Sequence, residues 1–167
     1  NHDTFERGNG LQIFTRANLC YAYTLTSTGY PTVFWKDLYD NNGPPRAYLA
    51  NLIWISHTFA HGDMVERWAD NNLVVNERWG SLLTGINNNE QSWRTEWVQT
   101  GFGPNVHLHD YTGLQGDRWT NQDGWVQISV PPGGYCCYAR DGYQSDLPIN
   151  PARRTTQEYE GNADMDM

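Results

Sequence analysis

Four groups of residues could do chemistry. The chain opens on Asn1-His2-Asp3-Thr4, an imidazole beside a carboxylate. By itself that run reads as an ordinary polar turn, and a lone Asp3 cannot divide the acid and base work that two tuned carboxylates share. His107 and His109 alternate along a predicted strand and so point to one face, as a zinc pair could. No third ligand stands near them in the sequence, and hydrogen-bonded structural histidines are the commoner outcome. Trp35, Lys36 and Asp37 close a short aromatic run, where they either face a ligand or pack as core and rim. Trp93, Trp97, Trp119 and Trp125 could form a sugar platform, although the core of a β domain accounts for most such residues.

The elements that must position these groups follow from composition and pattern. Eight Trp, ten Tyr and five Phe among 167 residues supply ample core, while charged residues make up only 18%. Polarity comes largely from Asn, Gln, Thr, Ser and Gly, a mix typical of secreted β-rich proteins and suited to carbohydrate contacts. An extracellular location is therefore expected. Lys+Arg 11 against Asp+Glu 19 gives a net charge of −8, which disfavours nucleic acid and anionic membrane surfaces as partners. No run of about 18 apolar residues exists to span a bilayer. Cys20, Cys136 and Cys137 have no metal-type CxxC spacing; Cys20 could pair with one of the others, leaving a spare thiol. The start on Asn1 rather than Met is read as processing from something longer or as a partial sequence.

Residues 16–27 (RANLCYAYTLTS) are apolar nearly all round, as a buried helix or strand would be. Residues 30–38 (YPTVFWKDL) read as a buried strand of the parallel type. From Arg46 to Phe59, the residues Tyr48, Leu52, Ile55 and Phe59 recur at helical spacing, and Gly62 lies just past the end. Beyond Gly62 short strands are expected at 64–69, 73–79, 81–86, 93–98, 106–110, 125–130 and 134–139, separated by Asn- and Gly-rich turns. The expected fold is α+β: an αβα unit over residues 1–62, an antiparallel β-sandwich of Greek-key type over 63–140, and a polar tail over 141–167.

In order and spacing, Asn1-His2-Asp3-Thr4, LCYAYTLTSTGYP, TVFWKDLYD, NLIWISHTFAHG, LLTGINNN, HLHDYTG and DGWVQISVPPGGYCCYA resemble the α-amylase family, most closely its archaeal and plant-like branch. The similarity covers about residues 1–140. It implies that residues 1–62 are the end of a (β/α)8 barrel, with the catalytic face at the C-terminal ends of its strands. Asp3 then matches the third carboxylate, which distorts and orients the sugar, and His2 the histidine that bonds the same ring. Trp35, Lys36 and Asp37 end the eighth strand as candidate substrate contacts. The nucleophile and the acid, about 5–5.5 Å apart in a retaining enzyme, lie on the family's fourth and fifth strands, which match nothing in this sequence. The family's calcium ligands also lie outside it, so no metal or other cofactor is expected in this chain.

Three functions remain open on these grounds. The chain is a C-terminal part of an α-amylase-like glycoside hydrolase acting on α-1,4-glucans, inactive without the missing strands. Alternatively it is a non-catalytic carbohydrate-binding or self-assembling module derived from one. The third option is a β-sandwich carrying an inert remnant. Unpaired barrel elements call for a companion barrel fragment or for self-association through residues 11–60.

Overall fold

The computed structural model describes residues 16–39 and 46–143. Three layers stack in it: helices, a six-stranded sheet and a two-stranded ribbon. Helix α1 (Ala17–Thr26) buries Leu19, Ala22, Leu25 and Thr26 on one side, and α3 (Arg46–Phe59) buries Leu49, Leu52, Ile55 and Phe59. The 3–4 spacing of these residues aligns them on one helical face. Gly62, at φ 85°, takes the left-handed conformation that follows the end of α3.

Residues 30–38 differ from the expectation. They form no strand: Trp35–Tyr39 is a short helix, α2, and the residues before it are irregular. The described run is therefore helix–helix–helix rather than αβα, and no parallel pair or barrel strand occurs among the described residues. The physical reason is that a strand needs neighbours to satisfy its backbone on both edges. With no neighbouring strand among the described residues, Tyr30 is fully exposed and Trp35 is 62% exposed. Helical N–H···O bonds need no partner strand.

The expected β elements are present with small shifts at their ends: β1 (Met64–Ala69), β2 (Leu73–Arg78), β3 (Leu82–Asn87), β4 (Arg94–Gln99), β5 (His107–Asp110), β7 (Trp125–Val130) and β8 (Tyr135–Arg140). The two-residue β6 (Arg118–Trp119) was not legible. All pairings among the described residues are antiparallel, in the orders β1-β2-β3-β8-β5-β6 and β4-β7.

Alternation along β2, β3 and β8 divides the core in two. Leu82, Ile86, Tyr135, Cys137 and Ala139 face α1 and α3. Leu73, Val75, Leu83, Cys136 and Tyr138 meet Val98, Val126, Ile128 and Val130 of the ribbon. The adjacent thiols of Cys136 and Cys137 thus lie in different clusters; both are buried and free, and Cys20 is exposed and free. Hydrogen bonds also tie the helical layer to the sheet. Arg78 donates to the Ser27 and Gly62 carbonyls, Ser81 to the Phe59 carbonyl, and Asn51 to the Tyr111 carbonyl. No helix among the described residues is long and apolar enough to cross a membrane.

Candidate functional site

The sequence candidates land in separate places. Asp3 and His2 lie outside the described residues. Trp35, Lys36 and Asp37 sit on α2. The Tyr21 hydroxyl of α1 donates to the Asp37 carboxylate, fixing α2 against α1. The Lys36 ammonium lies 5.7 Å from the centre of the Trp35 ring, within cation–π range. Burial, and then the Asp37 carboxylate, push the Tyr21 hydroxyl well above its usual pKa, so it remains a donor.

His107 and His109 do share a face of β5, and Asp117 bridges them. Its Oδ2 lies 2.8 Å from His107 Nε2 and its Oδ1 2.7 Å from His109 Nδ1. Asp141 stands 3.3 Å from His107 Nδ1. Trp119, paired opposite His107, stacks on its ring at 4.3 Å between centroids and 9° between planes. The Asp117 oxygens point to different imidazoles rather than converging. No group of three or more His, Cys, Asp or Glu among the described residues is placed to hold a metal ion. Burial acts to raise the Asp117 pKa, but the hydrogen bonds from His109 and His107 outweigh it and hold the carboxyl below its usual range. The cluster can therefore clasp β5 to β6; it has no nucleophile beside a base.

Two buried carboxylates escaped the sequence reading. Asp110 accepts the N–H groups of Thr112, Leu114, Gln115 and Cys137 and the Thr112 hydroxyl. It thereby fixes the turn between β5 and β6. Glu77 is fully buried and accepts from Gly80 N–H, Gly101 N–H and Arg67 Nε at 2.8, 2.9 and 2.6 Å. Arg67 reaches it from a bulge in β1, where it has no cross-strand partner. Both are structural: buried charge is tolerated because it is hydrogen-bonded. Their signal in the sequence was an acidic residue at a position where alternation demands an inward side chain.

The tryptophans overturn the core expectation. Trp93, Trp97, Trp119 and Trp125 are 55, 51, 59 and 39% exposed. Trp119 covers His107, whereas Trp97 and Trp125 share the outer face of the β4–β7 ribbon. Val98 and Val126 occupy the inward positions beside them. The cross-strand pairs Trp97↔Gln127 and Gln99↔Trp125 make the two indoles diagonal neighbours, each opposite an amide. Farther along, the Thr95 and Ser129 hydroxyls bond at 2.8 Å. Trp93, one residue before β4, continues the exposed series. No side chain on this face carries a charge. The charged Arg94, on the inward side of β4, is engaged by Asp70 and Glu96.

Residues 82–139 match the model of the family described as "Alpha-amylase C-terminal". No curated protein matches the chain in sequence. Among solved structures, the γ-CGTase of alkalophilic Bacillus clarkii superposes with a TM-score of 0.61 at 20% identity, covering 83% of this chain and 24% of that one. An Anoxybacillus α-amylase, described as giving insight into a new glycosyl hydrolase subclass, superposes with a TM-score of 0.61 at 15% identity. That match covers 83% of this chain and 35% of the other. The chain thus spans about a quarter to a third of the length of these structures. In fold it is similar to part of an α-amylase and of a CGTase, and its residues 82–139 match an α-amylase C-terminal domain.

Proposed function

We propose that this chain is the C-terminal portion of a secreted α-amylase-like glycoside hydrolase of the archaeal and plant-like branch, acting on α-1,4-glucans and inactive by itself. The observation that carries it is the match of residues 82–139 to the α-amylase C-terminal domain, within a fold that extends similarity over 83% of the chain. In the complete molecule Asp3 and His2 contribute to the sugar subsite, Trp35, Lys36 and Asp37 lie at its rim, and calcium belongs to the remainder. The nucleophile and acid of retaining hydrolysis come from a companion barrel part. Without it, residues 11–60 self-associate.

The test is release of reducing sugar from soluble starch, together with the intact mass of any polypeptide that accompanies the chain. The chain alone is expected to be silent. Starch turnover that persists through repurification and disappears in Asp3→Asn would overturn the inactive-alone assignment. Starch turnover by the chain with a companion of roughly 250 residues, the size of a barrel, would support it.

A further inference from the structure

The ribbon β4–β7 presents an outer face that the packing among the described residues does not use. Its inward residues Val98, Val126, Ile128 and Val130 complete the inter-sheet core, and the helical layer covers the opposite side of the six-stranded sheet. At 51 and 39% exposure, Trp97 and Trp125 leave a large part of each indole in solvent. Neither side chain has a hydrogen-bond or ring partner among the described residues. Each leaves an indole face and an N–H donor open to solvent.

We propose that this face binds α-glucan: the indoles of Trp97 and Trp125 stack against pyranose rings, and the amides of Gln99 and Gln127 hydrogen-bond their hydroxyls. Four features select that ligand. The face is uncharged, which suits a neutral polyhydroxylated chain and offers nothing to a phosphate or an acidic peptide. Stacking platforms flanked by neutral donors and acceptors match a sugar ring, which is apolar on its faces and polar around its rim. Such sites join aromatic walls to a few placed polar groups. The aromatic positions are spread over the ribbon: Trp97 and Trp125 are diagonal neighbours about 7–8 Å apart, and Trp93 stands one residue before β4. A spread array suits a polymer better than a monosaccharide. Finally, two packed sheets hold the array, so binding needs no ordering of a loop. The α-linkage of the ligand rests on the functional reading above; the location of the surface rests on the ribbon alone.

The experiment uses the full chain and its Trp97→Ala, Trp125→Ala and double variants, with near-UV circular dichroism confirming that each is folded. Affinity electrophoresis through gels containing soluble amylose, or cellulose fragments as the β-linked control, reads retardation. Titration with maltoheptaose followed by tryptophan fluorescence gives Kd. We expect amylose to retard the parent chain and cellulose fragments not to. Each single substitution should weaken binding about tenfold, about 1.4 kcal/mol, and the double variant should migrate as in a blank gel. Amylose retardation unchanged in the double variant would place the glucan site elsewhere and refute this surface, leaving the functional reading intact. No retardation of the parent would refute the surface too, again without touching catalysis. Retardation only by the β-linked control, lost in the double variant, would refute the α-glucan assignment here and leave the functional reading to the starch assay. A change of mass by light scattering in the double variant, with glucan binding unaltered, would show that the face is a protein contact and overturn the proposal.

Discussion

Gly85 on β3 offers the sharpest test of the face-to-face packing that aims the ribbon outward. A Cβ built there would stand 2.8 Å from Val130 Cγ2, 3.1 Å from Cys136 Sγ and 3.1 Å from Ile128 Cδ1. Carbon atoms prefer about 3.5–4.0 Å, so the new methyl overlaps the ribbon by roughly half an ångström or more. The obstacles are poor at yielding, because Val130 is β-branched and stiff at χ1 and sits in a buried strand. Overpacking of this kind costs about 1–3 kcal/mol. Against it, replacing a strand glycine returns about 0.5–1 kcal/mol of chain entropy. Gly85→Ala should therefore lose about 1 kcal/mol, seen as a lower urea midpoint at constant m value. Gly85→Val, with two further methyls, should lose clearly more. The decisive arm is Gly85→Ala in a Val130→Ala background, where the closest obstacle is gone. The second substitution should then cost little or stabilise, a coupling of about 0.5–3 kcal/mol between strands of different sheets. Additive effects, or a Gly85→Val protein as stable as the parent, would mean that β3 and β7 do not face one another as described.

Two further predictions follow from the helical layer and from the carboxylates. Leu52→Ala removes a side chain with no solvent exposure from the cluster joining α3 to β3 and β8; it should cost about 2–5 kcal/mol in urea unfolding, and a cost under about 0.5 kcal/mol would show that α3 does not lie on the sheet. Asp70 and Asp117 are both held below the ordinary carboxylate range, Asp70 first by Arg94 and Asp117 by His109 and His107 against the opposing effect of burial. A depressed folded pKa gives stability that is present above the unfolded pKa of about 3.9 and lost as pH falls through the folded one. Thermal melts from pH 5 downward should show that loss, and Asp70→Asn with Asp117→Asn should flatten the curve; an unchanged slope in the double variant would refute it.

Much of the fold was legible because its periodicities are local. The helix Arg46–Phe59 and the strand Trp125–Val130 coincide with their expected bounds, since each declares its period through residues that the core must bury. The antiparallel strands past Gly62 declared themselves through turns rich in Asn and Gly. Residues 30–38 failed because a parallel strand is recognised only as an apolar run, and such a run also fits a helix end. What distinguishes them is the neighbour, and the described residues supply none. Likewise Asp117 meets His107 and His109 through the pairing of β5 with a two-residue β6 too short to leave a pattern.

The tryptophans show where composition misleads and alternation corrects it. Large aromatics are most often buried, which assigned Trp97 and Trp125 to the core. Yet in Trp97-Val98 and in Trp125-Val126 the two neighbours must point to opposite faces, and only one face of a two-stranded ribbon can meet the other sheet. Register settles which. Val98 pairs with Val126 on the inside, so the indoles stand outside with Gln99 and Gln127. A slip of one residue in either strand would turn that strand's tryptophan inward and its valine to solvent. Gly85 is left bare where it admits Val130 and Ile128, and farther along the ribbon Val98 and Val126 are buried as a cross-strand pair. The indoles stand outside because the valines beside them are inside, so stability of the sandwich and exposure of its aromatic face follow from the same register.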